Sequence, residues 1–235
     1  MKPDVIVCWP DNCDYPLWRL FIQSNRERFS KVIVAVTATN SGTNYTEFIK
    51  SVFDDDTTTV FRAPIPIAGV DWRDMAINEA LDSFSQSKWV WFTEQDFILT
   101  SARWFNWVNS LAAAFDAFGV KVGHRIHPCS LFVKRNLIDK TARNFSIDPL
   151  NQLDHFGLFT KELEALTSIA FIPKYWHHMA GLSHNWRLVA EGKKPNHQPD
   201  DFYKYIAASL EAPVELHPDW RKIAEKILPH NYRIE

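Results

Sequence analysis

Glycine is scarce in this chain, with 7 among 235 residues. A loop that binds phosphate through glycines needs several of them together, directly after a strand. The segment that follows the first apolar run, residues 9–12, contains no glycine. The sequence therefore argues against a site in which a glycine-rich loop holds a nucleotide.

Cysteines and long apolar runs are also few. The three cysteines, Cys8, Cys13 and Cys129, are odd in number and lack the paired spacing of a metal site, so a disulfide framework is not expected. We expect reduced thiols and a cytoplasmic location. The apolar run at residues 5–9 is too short for the core of a signal peptide. No later segment reaches the roughly 20 apolar residues that cross a bilayer, so no transmembrane segment is predicted.

The chain has no surplus of positive charge. Its 26 Lys and Arg residues stand against 28 Asp and Glu residues, which gives a formal net charge of -2. A protein that binds nucleic acid mainly through its phosphates is normally basic, so the balance disfavours that class but leaves a local basic patch open. Hydrophobic residues make up 46% of the chain, which is enough to bury a sizeable core.

Short β-branched runs alternate with segments of helical period in the first half, an order that predicts an α/β sheet covered by helices. Strands are predicted at residues 4–9, 31–37, 58–62, 89–92, 130–134 and 169–173. Helices are predicted at residues 17–29, 47–53, 104–115, 157–166, 202–210 and 220–228. Gly119 is predicted as the C-terminal cap of the helix at 104–115.

Two carboxylates, Glu94 and Asp96, follow the apolar strand at residues 89–92. Ligands of open α/β sheets bind beyond the carboxyl ends of the strands. Two acids one residue apart at such an end can present oxygens to a hard divalent cation, which can neutralise a diphosphate leaving group. The alternative interpretation is that these acids only begin a solvated loop or the following helix.

A predicted helix lies before this strand, with Asp71 as its N-cap and apolar residues at helical spacing from Ile77 to Phe84. The order Asp71-x-Arg73-x4-Asn78-x10-Trp-Val-Trp-Phe-Thr-Glu94-Gln-Asp96 resembles the core of GT-A glycosyltransferases. The resemblance is greatest to family 2, in which an Asn-bearing helix precedes a strand that ends in an Asp-x-Asp-type motif. Here the first acid is Glu94 instead of Asp.

The resemblance implies a GT-A-type α/β fold with a mixed, mostly parallel sheet flanked by helices, followed by C-terminal helices. It implies that Asp96 binds Mn²⁺ or Mg²⁺ and that Glu94 contacts the metal or the donor sugar. It also implies that the loop at residues 9–12 meets the nucleotide base. The substrate-binding residues assigned on this basis are Trp9, Asp11, Asn12, Asp71, Arg73, Asn78 and Glu94.

We interpret residues 1–235 as a single GT-A-like domain. Residues 1–100 would form the nucleotide-sugar-binding half and residues 101–190 the acceptor-binding half, with a C-terminal helical appendage at 191–235.

A second cluster, at residues 175–186, contains three histidines and two tryptophans. Imidazole binds manganese-class cations, and the resemblance implies a late histidine as the third metal ligand. His178 and His184 are the candidates, six residues apart in the sequence. The alternative is that each is a hydrogen-bonded core residue.

Asp154 is the candidate general base for the incoming hydroxyl. Its place after the predicted strand at 130–134 resembles that of the Glu-Asp catalytic pair of the family, although Leu153 stands where the first acid would be. Asp154 can equally be an N-cap for the helix at 157–166. Arg125 can bind a diphosphate or the acceptor through its guanidinium.

The predicted function is a metal-dependent transfer of a sugar from a nucleoside-diphosphate sugar, with a UDP-sugar favoured, to an unidentified hydroxyl. Inversion is favoured, with Asp154 as the base, and a retaining mechanism, which needs no such base, stays open. The acceptor is left open among a saccharide, a lipid-linked sugar and a modified nucleic acid. The alternatives are a DNA-modifying glycosyltransferase that acts on a hydroxylated base and a non-catalytic carbohydrate- or nucleotide-binding protein. A sugar-1-phosphate nucleotidylyltransferase fits less well, because it needs a glycine-rich loop after the first strand.

Overall fold

The computed structural model describes residues 1–10, 18, 21–23, 25–37, 50, 56–63, 71–95, 97–99, 104–122, 125–147, 150, 153, 155–172 and 176–178. The chain divides into two compact units. The first comprises Met1–Asp11, Glu27–Glu94 and Val108–Pro173. The second comprises Asn12–Arg26, Gln95–Trp107 and Lys174–Glu235.

A seven-stranded sheet lies in the first unit, with the strand order β3-β2-β1-β4-β7-β6-β8. Its strands are β1 (Asp4–Pro10), β2 (Lys31–Thr37), β3 (Thr58–Arg62), β4 (Trp89–Thr93), β6 (Ala117–Val122), β7 (Arg125–Lys134) and β8 (Ile169–Ile172). Two further strands, β5 (Phe97–Leu99) and β9 (Trp176–His178), belong to the second unit. In this sheet β7 alone runs antiparallel to its neighbours, so the predicted mixed, mostly parallel sheet is confirmed.

The centre of the sheet is buried because its strands are apolar on both faces. All five residues of β4 are buried, as the run at 89–92 predicted. Trp91 stacks on Phe132 of β7 with ring centroids 4.9 Å apart, and Phe132 stacks in turn on Phe118 of β6 at 4.9 Å. This aromatic row joins the parallel strands to the antiparallel β7 and stabilises the reversal.

Helix α1 (Trp72–Glu79) begins where the sequence predicted, because Asp71 accepts a hydrogen bond from the backbone N–H of Arg73 at 2.9 Å. The helix continues into one π-helical turn, Ala80–Phe84. In this turn the N–H of Ser85 donates to the carbonyl of Ala80 at 2.9 Å. The α1 helix lies against β1 and β2.

The remaining described helices are α2 (Trp104–Ala114), α3 (Arg135–Ile138) and α4 (Gly157–Leu166). Helix α4 matches its predicted bounds. The prediction of Gly119 as a helix cap is wrong, because Gly119 lies inside β6. A Cβ at this position would come within 2.4 Å of the Ser130 carbonyl of β7, so the close approach of two strands requires this glycine.

In the second unit β5 and β9 pair in antiparallel fashion, with Phe97 opposite His178. The ring of Phe21 lies 5.7 Å from that of Trp104, whose indole N–H donates to Asn25 Oδ1 at 3.2 Å. The sequence predicted neither β5 nor β9.

The predicted helix at 17–29 is helical at the described residues 18 and 21–23 and is followed by a 3₁₀ turn, Arg26–Arg28. Of the helix predicted at 47–53 the structure describes Lys50, which is helical. The predicted helices at 202–210 and 220–228 lie outside the described residues. Within the described part of the chain, no helix is long and apolar enough to span a bilayer.

Candidate functional site

From β1 the chain continues outward on one side to β2 and β3, whereas β4 pairs with the other side of β1. The direction in which strands are added to the sheet therefore reverses between β1 and β4. Ligands of such sheets bind at the carboxyl ends of the strands that flank this reversal. Val7 of β1 is in register with Thr93 of β4, so Cys8 and Glu94 are the next residues at this edge. This edge of the first unit is therefore the candidate site.

Glu94 is held at the edge by Arg73 from the first turn of α1. The Arg73 Nη1 atom lies 3.5 Å from Glu94 Oε1, and both side chains are largely buried, with 30% and 25% of their surfaces exposed. The guanidinium carbon of Arg73 lies 5.3 Å from the centre of the Trp72 ring. An aromatic neighbour and an acidic partner together restrict the orientation of the guanidinium.

Asp71 contacts two groups, one with each carboxylate oxygen. Oδ1 accepts the N–H of Arg73, and Oδ2 lies 3.3 Å from Nδ1 of His155. Both side chains of the second contact are mostly buried, His155 at 14% and Asp71 at 17% exposure. At this distance the carboxylate and the imidazole form an ion pair when the ring is protonated.

Cys8 ends the cluster on the side of β1. Burial is the main cause that raises the pKa of its thiol to about 12; Arg73 opposes this rise, and the charges of Glu94 and Asp71 add to it. The thiol is therefore protonated at neutral pH, and Cys8 is unsuited to act as a thiolate nucleophile or ligand.

Asp74 and Asn78, which follow on α1, bind a second segment of the chain. Asp74 Oδ1 accepts the backbone N–H of Phe145 at 2.7 Å, and Asn78 Nδ2 donates to the carbonyl of Arg143 at 3.2 Å. Asn78 Nδ2 also donates to the carbonyl of Asp74 at 3.0 Å, so its amide cross-links backbone groups. Its predicted contact with substrate stays a prediction.

The structure thus brings three of the predicted residues together: Asp71, Arg73 and Glu94. Trp9 lies in β1 opposite Val36, and its side chain is fully buried. For Arg125 and His178 the structure gives the backbone position alone, in β7 and β9. The other predicted site residues lie outside the described residues: Asp11, Asn12, Asp96, Asp154 and His184.

Among the described residues no group of three His, Cys, Asp or Glu side chains is placed to hold a metal ion. Of the four predicted ligands, Glu94 is the one whose side chain is described. Its partly exposed carboxylate at the strand end is an oxygen donor of the kind that Mn²⁺ and Mg²⁺ bind, so the described part of the donor set fits a hard divalent cation.

His155 is the residue of this cluster to which sequence reasoning assigned no role. It follows Asp154 directly and is separated from Asp71 by more than 80 positions, so no local spacing links the pair. A signal was present nonetheless, since a histidine beside a candidate base is a candidate for proton or hydrogen-bond chemistry.

No protein-family model matches the chain, and no curated protein matches it. Among solved structures, the chain is similar to a mannosyltransferase from Pyrobaculum calidifontis in complex with GDP-Man and Mn²⁺. The TM-score is 0.55 and the identity 14%, and the match covers 95% of this chain and 68% of the mannosyltransferase. The glucosyl-3-phosphoglycerate synthase of Mycobacterium tuberculosis, in complex with Mn²⁺, UDP and phosphoglyceric acid, has a TM-score of 0.52 and 12% identity over 83% of this chain and 80% of its own.

A synthase from Anaerococcus prevotii, named for 4-diphosphocytidyl-2C-methyl-D-erythritol, is similar with a TM-score of 0.54 and 10% identity over 89% of this chain and 98% of that one. Identities this low show a shared fold alone. Taken with the strand order and the mixed sheet, they show that this chain has a GT-A-type fold.

Proposed function

We propose that this protein is a glycosyltransferase that moves a sugar from a nucleoside-diphosphate sugar to a hydroxyl acceptor with the help of a divalent cation. The observation that carries the proposal is Glu94, which Arg73 holds at the carboxyl end of β4 beside the strand reversal. Two solved structures of this fold contain Mn²⁺ with GDP-Man or with UDP, which supports a nucleotide and a metal at this edge.

Glu94, Asp96 and one of the late histidines would hold the cation. When bound, Mn²⁺ or Mg²⁺ would neutralise the charge that develops on the diphosphate leaving group. Arg73 keeps the Glu94 carboxylate in place and adds a positive charge at the same edge.

The third ligand stays a choice between His178 and His184. In the second unit Phe97 of β5 lies opposite His178 of β9. Successive residues of a strand point to opposite faces, so this pairing does not select His178 as the partner of Asp96.

For the acceptor we keep Asp154 as the general base of an inverting displacement. Its carboxylate would take the proton of the acceptor hydroxyl as the new glycosidic bond forms and the bond to the diphosphate breaks. UDP-sugars and GDP-mannose are the donors to test first, since the two similar structures contain UDP and GDP-Man.

The test is release of nucleoside diphosphate from UDP-glucose and GDP-mannose with Mn²⁺, with Mg²⁺ and with EDTA. We expect metal-dependent release that Asp96→Ala lowers by roughly 100-fold or more, because the substitution removes a predicted metal ligand. Glu79→Gln is the matched control, since Glu79 lies at the end of α1 and accepts a hydrogen bond from Ser83. Full activity of a folded Asp96→Ala variant would overturn the assignment.

A second candidate, nucleotidyl transfer, is favoured by the similarity to the Anaerococcus prevotii synthase, whose product name contains a diphosphocytidyl group. That reaction would release pyrophosphate from a nucleoside triphosphate. Pyrophosphate release from CTP or UTP in the presence of a sugar phosphate, without diphosphate release from nucleotide sugars, would select this candidate instead.

A further inference from the structure

We propose that the polar face of helix α1 positions the candidate base, and that the contact between Asp71 and His155 is the decisive part of this arrangement. His155 is then a positioning residue, which acts through its neighbour Asp154. The inference rests on the proposed function and deepens it.

Three side chains on α1 contact Arg143, Phe145 and His155. Asp71, Asp74 and Asn78 are spaced by three and four positions, so they lie on one face of the helix. Asp71 Oδ2 contacts His155, Asp74 accepts the N–H of Phe145, and Asn78 donates to the carbonyl of Arg143. Each contact joins the helix to a different residue, so together they hold residues 143, 145 and 155 against the helix.

The residues that flank Asp154 are held on both sides. The N–H of Phe156 donates to the carbonyl of Phe145 at 3.2 Å, and the ring of Phe156 is buried 5.3 Å from that of Phe92. A Cβ on Gly157 would come within 2.7 Å of the Cβ of Leu153, which shows how closely the chain returns on itself here.

The backbone at Phe156 is also strained, with φ at 63° in the left-handed region. A bulky non-glycine residue occupies this region at a cost of about 1–2 kcal/mol, and such strain persists where surrounding contacts impose it. The strained residue lies two positions after Asp154 and one after His155, directly before α4.

The start of helix α1 contacts both His155 and Glu94, the candidate metal ligand. Arg73 from its first turn holds Glu94, and Asp71 from its N-cap holds His155. Groups mounted on one regular element keep their separation better than groups on two loops. The helix therefore keeps a constant separation between Glu94 and His155, the neighbour of Asp154 in the sequence.

The test uses hydrolysis of a nucleotide sugar to nucleoside diphosphate in the presence of Mn²⁺, with UDP-glucose or GDP-mannose, whichever donor the wild type turns over. We expect His155→Ala to lower kcat by roughly 10- to 100-fold, since small displacements of a catalytic group have effects of this size. KM for the donor should stay within about two-fold of wild type, because the donor end is held by other residues.

His155→Asn keeps a donor near the position of Nδ1, so we expect it to restore most of the lost kcat, while His155→Leu should not. If His155→Asn is as inactive as His155→Ala while remaining folded, the imidazole itself takes part in the reaction and the positioning role is wrong. Asp71→Asn keeps an N-cap acceptor but changes the partner of His155. We expect its effect and that of His155→Ala to be strongly non-additive.

Amide hydrogen exchange gives a readout that does not need activity. His155→Ala and Asp71→Asn should speed exchange in peptides that cover residues 142–156. The Glu79→Gln control, on the same helix, should leave these peptides unchanged. Unchanged exchange in the two variants would overturn the inference by itself. Absence of any nucleotide-sugar turnover in the wild type, with faster exchange in the variants, would instead defeat the proposed function alone.

Discussion

Asp71 uses its two carboxylate oxygens for different purposes, one for the helix and one for the site. An N-cap side chain stabilises a helix by about 1 kcal/mol, and Asn supplies this bond as well as Asp does. The contact with His155 uses the second oxygen, Oδ2, where Asn would place an amide nitrogen. The sequence predicted the cap because its signal is local, within three residues. The contact with His155 is distant in the sequence, so no spacing rule could predict it.

The carboxyl of Asp74, three residues after Asp71, should make the stability of the protein depend on pH. Burial raises the pKa of its carboxyl, and the charge of Asp71 raises it further, while the N–H of Phe145 lowers it. A carboxyl whose pKa is raised on folding contributes most to stability below its unfolded pKa, and this contribution is lost as the pH rises through the folded pKa. Asp74→Asn keeps the acceptor Oδ1 but does not ionise. We therefore expect the variant to gain stability relative to wild type between about pH 4 and about pH 7.

Urea unfolding midpoints at the two pH values measure this difference. The matched variant Asp74→Ala loses the acceptor for the N–H of Phe145, which should cost about 1–3 kcal/mol at both pH values. A gain of Asp74→Asn that is larger at low pH would contradict the stated direction of the pKa.

At the scale of elements, strands rich in β-branched residues were predictable, whereas very short strands and the strand that contains Gly119 were not. The runs at 31–37 and 58–62 coincide with β2 and β3, because β-branched residues favour strands. The apolar residues of β2 are also buried, whereas β3 is half-buried. Strand β6 was missed, since the helical period up to Phe115 made Gly119 resemble a cap. Strands β5 and β9 are three residues long each, and pairing across some 80 positions leaves no local pattern.

Gly119 lies in β6, and its close contacts with β7 predict the effect of a substitution. An isolated glycine in a strand indicates a bulge or a close approach, and the β6–β7 register does shift between Gly119 and Lys121. Gly119→Ala would push a Cβ against the Ser130 carbonyl and against Ile126 Cγ2, at 2.4 Å and 2.7 Å. We expect a loss of about 1–3 kcal/mol, because overpacking a buried backbone contact forces the strands apart. Equal urea midpoints for variant and wild type would show that β6 and β7 can separate freely.

At the scale of the whole molecule, charge and fold restrict the function in different ways. The fold is consistent with several group transfers, because function depends on the site and not on the sheet. A net charge of -2 disfavours broad binding of nucleic acid phosphates, so the DNA-modifying alternative needs a local basic patch. The edge of the sheet was predictable from the carboxyl ends of two strands. The contacts of Arg73 with Glu94 and of His155 with Asp71 were not predictable, because they depend on how α1 packs.

The last prediction concerns ligand-dependent stability of the intact chain. A ligand that binds only the folded protein at 100 times its Kd stabilises it by about 2.7 kcal/mol. For a chain of this length that corresponds to a rise in Tm of roughly 5–10 °C. We expect UDP or GDP with Mn²⁺ to give such a rise, and either component alone to give a smaller one, because metal and diphosphate bind cooperatively. Glu94→Gln should keep the Tm of the free protein but lose the Mn²⁺-dependent part of the rise. A nucleotide effect that is the same in EDTA would show that the carboxylate at the end of β4 holds no cation against the diphosphate.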